Sequence, residues 1–203
     1  MKKLILLLSL SVVLTAKTQT IIFSAGCFWG VEKYFDQLEG VKSAKSGYAG
    51  GDYDNPSYQE VLAHRKNSKI KNHTESVEVI YDDSNISTEK LIKIFWELHD
   101  PTQGNQQGND KGNNYRSALY YTNDEQKKIA FSSKKRYQKL LIKTGYGKIT
   151  TEIKPLKKFY PAEEYHQNYL EKHPFGYCPN HATGVKFNQK KIAKEQLKKE
   201  ETK

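Results

Sequence analysis

The boundary between a predicted strand and a predicted helix near residue 27 most constrains how this chain can fold. Residues 20–24 predict a short buried strand. Apolar side chains then recur at the spacing of one helix face, at Phe28, Val31, Phe35 and Leu38. Gly40 ends that pattern, as glycine often does just beyond a helix. Cys27 is therefore predicted to lie where the strand gives way to the helix.

The rest of the chain continues this mixture of strand and helix patterns. Strands are predicted at residues 41–48, 75–81, 115–122 and 148–154. Helices are predicted after the capping residue Ser87, from Asn123 to about Ile142, and from Pro161 through Glu171. Residues 100–114 predict a long functional loop, and the C-terminal segment is predicted to be irregular. This order favours an α+β sandwich with helices on a small mixed sheet.

Composition indicates one domain with a compact core and a very polar surface. The chain has 203 residues, 36% of them hydrophobic, and 14 Tyr and 8 Phe suggest a core and a pocket lined by rings. The net charge is +10, with lysines concentrated in residues 134–143 and 186–203. No nucleic-acid-binding sequence motif accompanies this charge. We therefore interpret the lysines as a solvated surface and expect no nucleic-acid partner.

The first 16 residues resemble an export signal. Lys2 and Lys3 precede an apolar run at residues 4–14, and Ala16 ends a tolerable cleavage site. The run is short for a membrane span. A retained anchor or a buried first strand are the alternatives. We expect residues 1–16 to be removed, the mature protein to be exported to the periplasm, and no stable membrane association to remain.

Cys27 has the local setting of a reactive thiol. The unpaired N–H groups and the dipole at a helix start favour the thiolate, which is the nucleophilic form. Gly26 and Gly30 leave the sulfur open, and the rings of Phe28 and Trp29 could form a wall suited to a methyl or thioether group. The alternative is a buried cysteine in a tight turn. In an exported chain, two cysteines would ordinarily form one structural disulfide.

Several motifs in order resemble one family. They are GCFWG at residues 26–30, DPTQG at 100–104, QGND at 107–110, YRS at 115–117 and YHQ at 165–167. Together they are similar to the peptide methionine sulfoxide reductase A family, over about residues 21–185. The resemblance implies a ferredoxin-like α+β core that reduces the S epimer of methionine sulfoxide, in proteins or free. It suggests a catalytic domain at 17–185, followed by a basic tail at 186–203.

The resemblance also implies roles for individual residues. Cys27 would attack the sulfoxide sulfur, and Glu75 would protonate the oxygen, which leaves poorly without a general acid. The residues that would bind substrate are the ring pair Phe28 and Trp29, the phenols Tyr58 and Tyr115, and the carboxylate Asp110. Without the resemblance, these tyrosines and Asp110 would be interpreted as ordinary surface or core residues.

The second cysteine completes the implied cycle. Cys178 matches the family's resolving cysteine, so the Cys27 sulfenic acid would condense with it to a disulfide. A thioredoxin-like protein would reduce that disulfide by thiol exchange. The cycle needs no cofactor. The spacing of the six histidines gives no metal-binding motif, and we expect a monomer without metal.

Two segments depart from the family pattern, and two other functions remain open. Residues 62–72 form a longer, basic loop, and residues 179–182 lack the usual glycines. Glu78 is a weaker rival of Glu75 for the acid role. A thiol hydrolase would also place a cysteine at a helix start, but it needs a histidine base and gains nothing from Cys178. A cationic exported binding module would keep its disulfide permanently.

Overall fold

A computed structural model describes residues 17–67, 69–177, 179 and 181–188. Its strands are β1 Thr18–Ser24, β2 Val41–Ala49, β3 Thr74–Asp82, β4 Gln106–Gln107, β5 Asp110–Lys111, β6 Ala118–Tyr121, β7 Glu152–Pro155 and β8 Phe159–Pro161. Its α-helices are α1 Phe28–Asp36, α2 Tyr58–Ala63, α3 Thr88–Leu98, α4 Asp124–Lys143 and α5 Tyr169–Lys172. Two 3₁₀ turns lie at Asn113–Tyr115 and Glu164–His166.

Six of the strands form one mixed sheet in the order β7-β6-β1-β3-β2-β8. Neighbouring strands run antiparallel except for the parallel pair of β6 and β7. The short strands β4 and β5 form a separate antiparallel hairpin inside the predicted loop. The predicted α+β class is confirmed, although the sheet is larger than the small sheet expected from the sequence.

The main core lies where β1 meets the helices. The ring of Phe23 stacks on Phe35 of α1 at 4.8 Å between centroids and on Phe95 of α3 at 5.0 Å. Trp96 of α3 donates its indole N–H to Ser133 of α4 at 2.9 Å, so the buried polar group has a partner. This packing fixes α1, and with it the position of Cys27, against the centre of the sheet.

The helix starts predicted from capping residues are confirmed. Ser87 accepts a hydrogen bond from the backbone of Lys90, and Asn123 accepts one from Gln126. The Gln126 side chain accepts from the backbone N–H of Thr122 instead of the capping residue itself. The capping residues therefore located the starts of both helices, α3 and α4, to within one residue.

The predicted helix from Pro161 through Glu171 is wrong. Pro161 ends β8, and only a 3₁₀ turn and the four-residue α5 follow. Gln167 donates from its amide to the carbonyls of Ser46 and Ala162, and Asn168 adopts a left-handed backbone with φ 52°. The bond to Ser46 of β2 competes with helical hydrogen bonds, and the left-handed Asn168 interrupts the helix, so the segment is divided.

Other boundaries also differ from prediction. β6 begins at Ala118 and β7 at Glu152, later than expected, and the sequence patterns gave no indication of α2. Residues 1–16, Cys178 and residues 189–203 lie outside the described part of the chain. Among the described residues, no helix combines the length and the apolar character that crossing a membrane requires.

Candidate active site

Cys27 immediately precedes the first residue of α1, and its side chain is half-buried. The turn before it requires Gly26, whose φ is 93°. A β-carbon on Gly26 would also lie 2.7 Å from the side chain of Gln107, which packs against the turn. The predicted placement of the sulfur at a strand-to-helix turn is therefore the one observed, and part of the side chain is exposed to solvent.

Glu75 lies beside this helix start. Its carboxylate accepts a hydrogen bond from the backbone N–H of Phe28 at 3.2 Å, and Asn114 donates to the other oxygen at 3.5 Å. Phe28 is the first residue of α1, so Glu75 takes one of the N–H groups that the helix start leaves without a helical partner. The carboxyl and the cysteine thus share one helix end.

Burial dominates the protonation of Glu75. Only 2% of the residue is exposed, and burial raises the pKa of its carboxyl to about 8, with a further increase from the nearby charge of Asp110. The bonds from Phe28 and Asn114 act in the opposite direction, since they stabilise the carboxylate. Desolvation is the larger effect, and Glu75 holds a proton at neutral pH.

Two phenols face this carboxyl. Tyr58 begins α2, and burial, followed by the charge of Glu75, raises its pKa to about 12. Tyr115 ends the first 3₁₀ turn, and its pKa is also raised by burial and by Glu75. Both rings therefore keep their hydroxyl hydrogen over the physiological pH range and can donate it to a polar oxygen.

Asp110 approaches the same place from the hairpin of β4 and β5. One of its oxygens accepts a hydrogen bond from the hydroxyl of Tyr177 at 3.1 Å. Its other oxygen is buried and has no hydrogen-bond partner among the described residues. A buried acceptor without a partner is suited to receive a donor from a ligand.

The rings beside Cys27 differ in their surroundings. Phe28 is buried, with its ring near those of Tyr48 and His166. Trp29 is half-buried and stacks on Tyr169 with centroids 3.8 Å apart. The structure therefore places Phe28 mainly in the core and leaves Trp29 as the more accessible member of the pair.

His166 falls inside the wrongly predicted helix from Pro161, and it lies at this site. Its Nδ1 accepts a hydrogen bond from the indole N–H of Trp29 at 3.1 Å, and its ring meets Tyr58 edge-on at 4.6 Å. Burial lowers its pKa, so the ring is neutral and carries its hydrogen on Nε2. The matching YHQ motif was the one sequence feature that could have indicated His166.

Cys27 also lines a cavity of about 320 Å³. The walls of this cavity come from α1, from α3 and from residues 179–186. Its described lining includes Cys27 but not Glu75, Tyr58 or Tyr115. The sulfur therefore borders both the polar cluster and a separate, mostly apolar space.

The cluster described here consists of a thiol, a protonated carboxyl, two phenols and a half-buried indole. Within the described ranges, no group of three or more His, Cys, Asp or Glu side chains is arranged to hold a metal ion. The arrangement can bring a nucleophilic sulfur and a proton donor to one small polar group next to an apolar one.

Comparisons with known proteins agree on one family. The family model "Peptide methionine sulfoxide reductase" matches residues 19–200. The human mitochondrial peptide methionine sulfoxide reductase is 51% identical over 168 residues, which are 83% of this chain and 69% of that protein.

Solved structures give the same result. Methionine sulfoxide reductase A of Corynebacterium diphtheriae superposes with a TM-score of 0.72 and 43% identity, covering 83% of this chain and 81% of that one. Mxr1 of Saccharomyces cerevisiae in complex with Trx2 superposes with a TM-score of 0.52 and 27% identity, covering 84% of this chain and 91% of that one. On this agreement of sequence and fold, the chain belongs to the peptide methionine sulfoxide reductase family, of the MsrA type.

Proposed function

We propose that this peptide-methionine (S)-S-oxide reductase uses Cys27 as its nucleophile and Glu75 as its general acid. The observation that carries the proposal is the shared helix end, at which Glu75 bonds the first N–H of α1 next to Cys27. A nucleophile and an acid at one helix start can act on the sulfur and the oxygen of one sulfoxide group. The raised pKa of Glu75 supplies the proton at neutral pH.

The chemistry follows from these positions. The Cys27 thiolate forms a bond to the sulfoxide sulfur while Glu75 donates its proton to the sulfoxide oxygen. The S–O bond of the substrate then breaks, which leaves methionine joined to Cys27 through the new S–S bond. The released hydroxide attacks the Cys27 sulfur, the S–S bond breaks with its electron pair going to methionine, and Cys27 is left as a sulfenic acid. Cys27 is oxidised and the substrate sulfur is reduced by the same two electrons.

Substrate contacts are assigned to the surrounding groups. The hydroxyls of Tyr58 and Tyr115 donate hydrogen bonds to the oxygen, and Trp29, with the edge of Phe28, receives the methyl group. Asp110 shapes the pocket, and its buried oxygen is available to a donor on the substrate backbone. These roles suit methionine sulfoxide in proteins as well as the free amino acid.

The second half of the cycle uses Cys178. Its thiol condenses with the sulfenic acid, releases water and forms a Cys27–Cys178 disulfide. Support comes from its two neighbours in sequence: Tyr177 bonds Asp110, and Pro179 lines the cavity that Cys27 borders. A thioredoxin-like donor then reduces the disulfide by thiol exchange, as the complex of the yeast relative with Trx2 suggests.

The cellular setting is also a proposal. Residues 1–16 would direct export to an oxidising compartment, in which a membrane-linked, thioredoxin-like protein would supply electrons to a monomeric enzyme. The β-α-β-β-α-β order of β1, α1, β2, β3, α3 and β6 supports a ferredoxin-like centre for the fold.

Turnover of the separated sulfoxide epimers tests the proposal. The wild-type protein, given thioredoxin and a reductase, should convert the S epimer, and Cys27→Ser should abolish conversion. Cys178→Ser should complete one turnover and then stop, because its sulfenic acid has no internal thiol to react with. Conversion by the Cys27→Ser variant would refute the assignment of the nucleophile. Undiminished multiple turnover by Cys178→Ser would instead refute the disulfide cycle.

A further inference from the structure

The basic segment at residues 62–72, which departs from the family pattern, contacts the site through one side chain. Three backbone carbonyls of this segment accept hydrogen bonds from Asn113, the first residue of the first 3₁₀ turn. The backbone N–H of Asn113 donates to Arg65 at 2.9 Å. The side-chain amide of Asn113 donates to His64 at 3.1 Å and to Asn67 at 3.2 Å.

The remaining polar groups of Asn113 are also engaged. Its side-chain oxygen accepts from Asn72 at 2.8 Å, just before β3 begins, and its carbonyl accepts from the guanidinium of Arg116 at 2.7 Å. Asn72 is 1% exposed and also donates to the carbonyl of Val61 in α2. Asn113 therefore joins α2, the segment 62–72 and the entrance to β3 in one partly buried network.

The turn that begins at Asn113 carries two groups that face the proton donor. Asn114 is fully buried and donates to Glu75 at 3.5 Å. Tyr115 follows directly, and the charge of Glu75 acts on its hydroxyl. Such a short turn makes few hydrogen bonds of its own, so outside bonds must hold it in place.

From this connection we infer that Asn113 is a positioning residue, and that the segment 62–72 acts through it to hold Asn114 and Tyr115 against Glu75. The segment uses backbone carbonyls for this purpose, so its basic side chains are dispensable for it. The inference depends on the proposed role of Glu75, since it is the geometry around that carboxyl that Asn113 would maintain.

Asn113→Asp tests the inference with the least change in shape. The carboxylate keeps the acceptor for Asn72 but cannot donate to the carbonyls of His64 and Asn67. We expect kcat on the S epimer to fall by about 10- to 100-fold, as small displacements of reacting groups cause, while KM changes by about twofold or less. Asn113→Ala, which removes both kinds of bond, should show at least the same loss and serves if the aspartate variant does not fold.

The pH dependence of activity distinguishes a positioning role of Asn113 from a role in stability alone. The bond from Asn114 favours the charged form of Glu75, so its loss should move the alkaline fall in activity to higher pH. The ionisable groups facing Glu75 would be unchanged in both variants. They are Cys27 before α1, Tyr48 of β2, Tyr58 of α2, Asp110 of β5 and Tyr115 of the 3₁₀ turn. Asn113→Asp, however, adds a carboxylate whose charge also raises the pKa of Glu75, so Asn113→Ala gives the decisive profile.

Matched controls come from the segment itself. Arg65→Ala and Asn67→Ala keep the accepting carbonyls, and their kcat should stay within about twofold of the wild type. A carbon-13 NMR titration of the Glu75 carboxyl gives a readout that does not require turnover. If the wild type shows no turnover, the proposed function fails, whereas this titration still tests the inference.

Three results would overturn the inference. The first is an Asn113 variant with wild-type kcat and an unmoved Glu75 titration. The second is a variant that loses thermal stability while its folded fraction keeps full activity and the same pH profile. The third is an equal loss in Arg65→Ala or Asn67→Ala, which would assign the effect to the side chains of the segment.

Discussion

Two glutamates, Glu32 in the middle of α1 and Glu75 beside its start, are equally buried but have different hydrogen-bond partners. Each is 2% exposed, and burial raises the pKa of both. The two oxygens of Glu32 accept from the backbone N–H groups of Ser46 and Asn168, at 3.2 and 3.0 Å. Glu75 has one backbone donor and one long bond from an amide side chain.

The difference shows that burial alone does not identify a proton donor. Glu32 connects α1 to β2 and to the turn before α5, and each of its oxygens already has a partner within the fold. Glu75 is less completely bonded and faces two phenols and a second carboxylate. The two glutamates therefore differ in whether a ligand can replace their hydrogen-bond partners, and not in how deeply they are buried.

The largest expected effect is on turnover. Glu75→Gln keeps the shape and an acceptor for the N–H of Phe28 but removes the acidic proton. We expect kcat to fall by about 10²- to 10⁴-fold, the range for loss of a general acid. Steady-state kinetics on the S epimer measure it. Glu32→Gln is the matched control, with activity within about threefold of the wild type; equal losses in the two variants would remove the contrast.

The pH dependence of stability should reveal the buried, protonated state of Glu75. Folded Glu75 keeps its proton up to about pH 8, whereas the unfolded carboxyl keeps it only up to about 4.5. The folded state therefore binds more protons between these values, and its stability falls as the pH rises through them. Glu75→Gln should remove this fall, so its melting temperature should gain on the wild type from pH 5 to pH 9. Parallel melting curves would contradict the buried, protonated state.

Stability at neutral pH should also respond to the other glutamate. In Glu32→Gln, an amide NH₂ group replaces one oxygen and faces either the backbone N–H of Asn168 or that of Ser46, which keeps Gln167 as a second acceptor. In either orientation the buried amide donor has no acceptor at that position. Leaving one buried donor unpaired costs about 1–3 kcal/mol. Urea unfolding at pH 7 measures the loss in the free energy of unfolding. An unchanged midpoint would show that the segment around Asn168 adjusts without cost.

The parts of the fold that the sequence predicts depend on local signals, and the parts that it does not predict depend on distant partners. The strand before Cys27 and α1 after it follow from apolar spacing, and α3 and α4 follow from Ser87 and Asn123, because these signals are local. The predicted helix from Pro161 failed because Gln167 and Asn168 bond to residues more than a hundred positions away. A periodic pattern contains no information about such partners.

The candidate site divides in a similar way. The family motifs, rather than spacing, indicated Glu75 and the phenols, and the structure brings these groups together around one helix end. Asn114 and Asn113 were missed because each acts through a contact across many residues, with Glu75 and with the segment 62–72. His166 was missed as a site residue because the local pattern predicted a helix where the chain forms a 3₁₀ turn.

The smallest expected effect concerns the aromatic part of the site around His166. His166→Phe keeps a ring against Phe28 and Tyr58 but removes the acceptor for the indole N–H of Trp29. One such bond contributes about 0.5–1.5 kcal/mol. We therefore expect KM for the S epimer to rise by roughly two- to tenfold, with kcat nearly unchanged, because Trp29 would hold the methyl group without taking part in proton transfer.

Tyr169→Phe is the control, because it keeps the ring that stacks on Trp29 and should leave KM unchanged. Burial lowers the pKa of His166, so its Nδ1 remains an acceptor at neutral pH and becomes protonated only in acid. The wild-type KM should then rise at low pH, and the His166→Phe variant should lose that dependence. A fall in kcat with constant KM would instead place His166 with Glu75 in the proton-transferring part of the site.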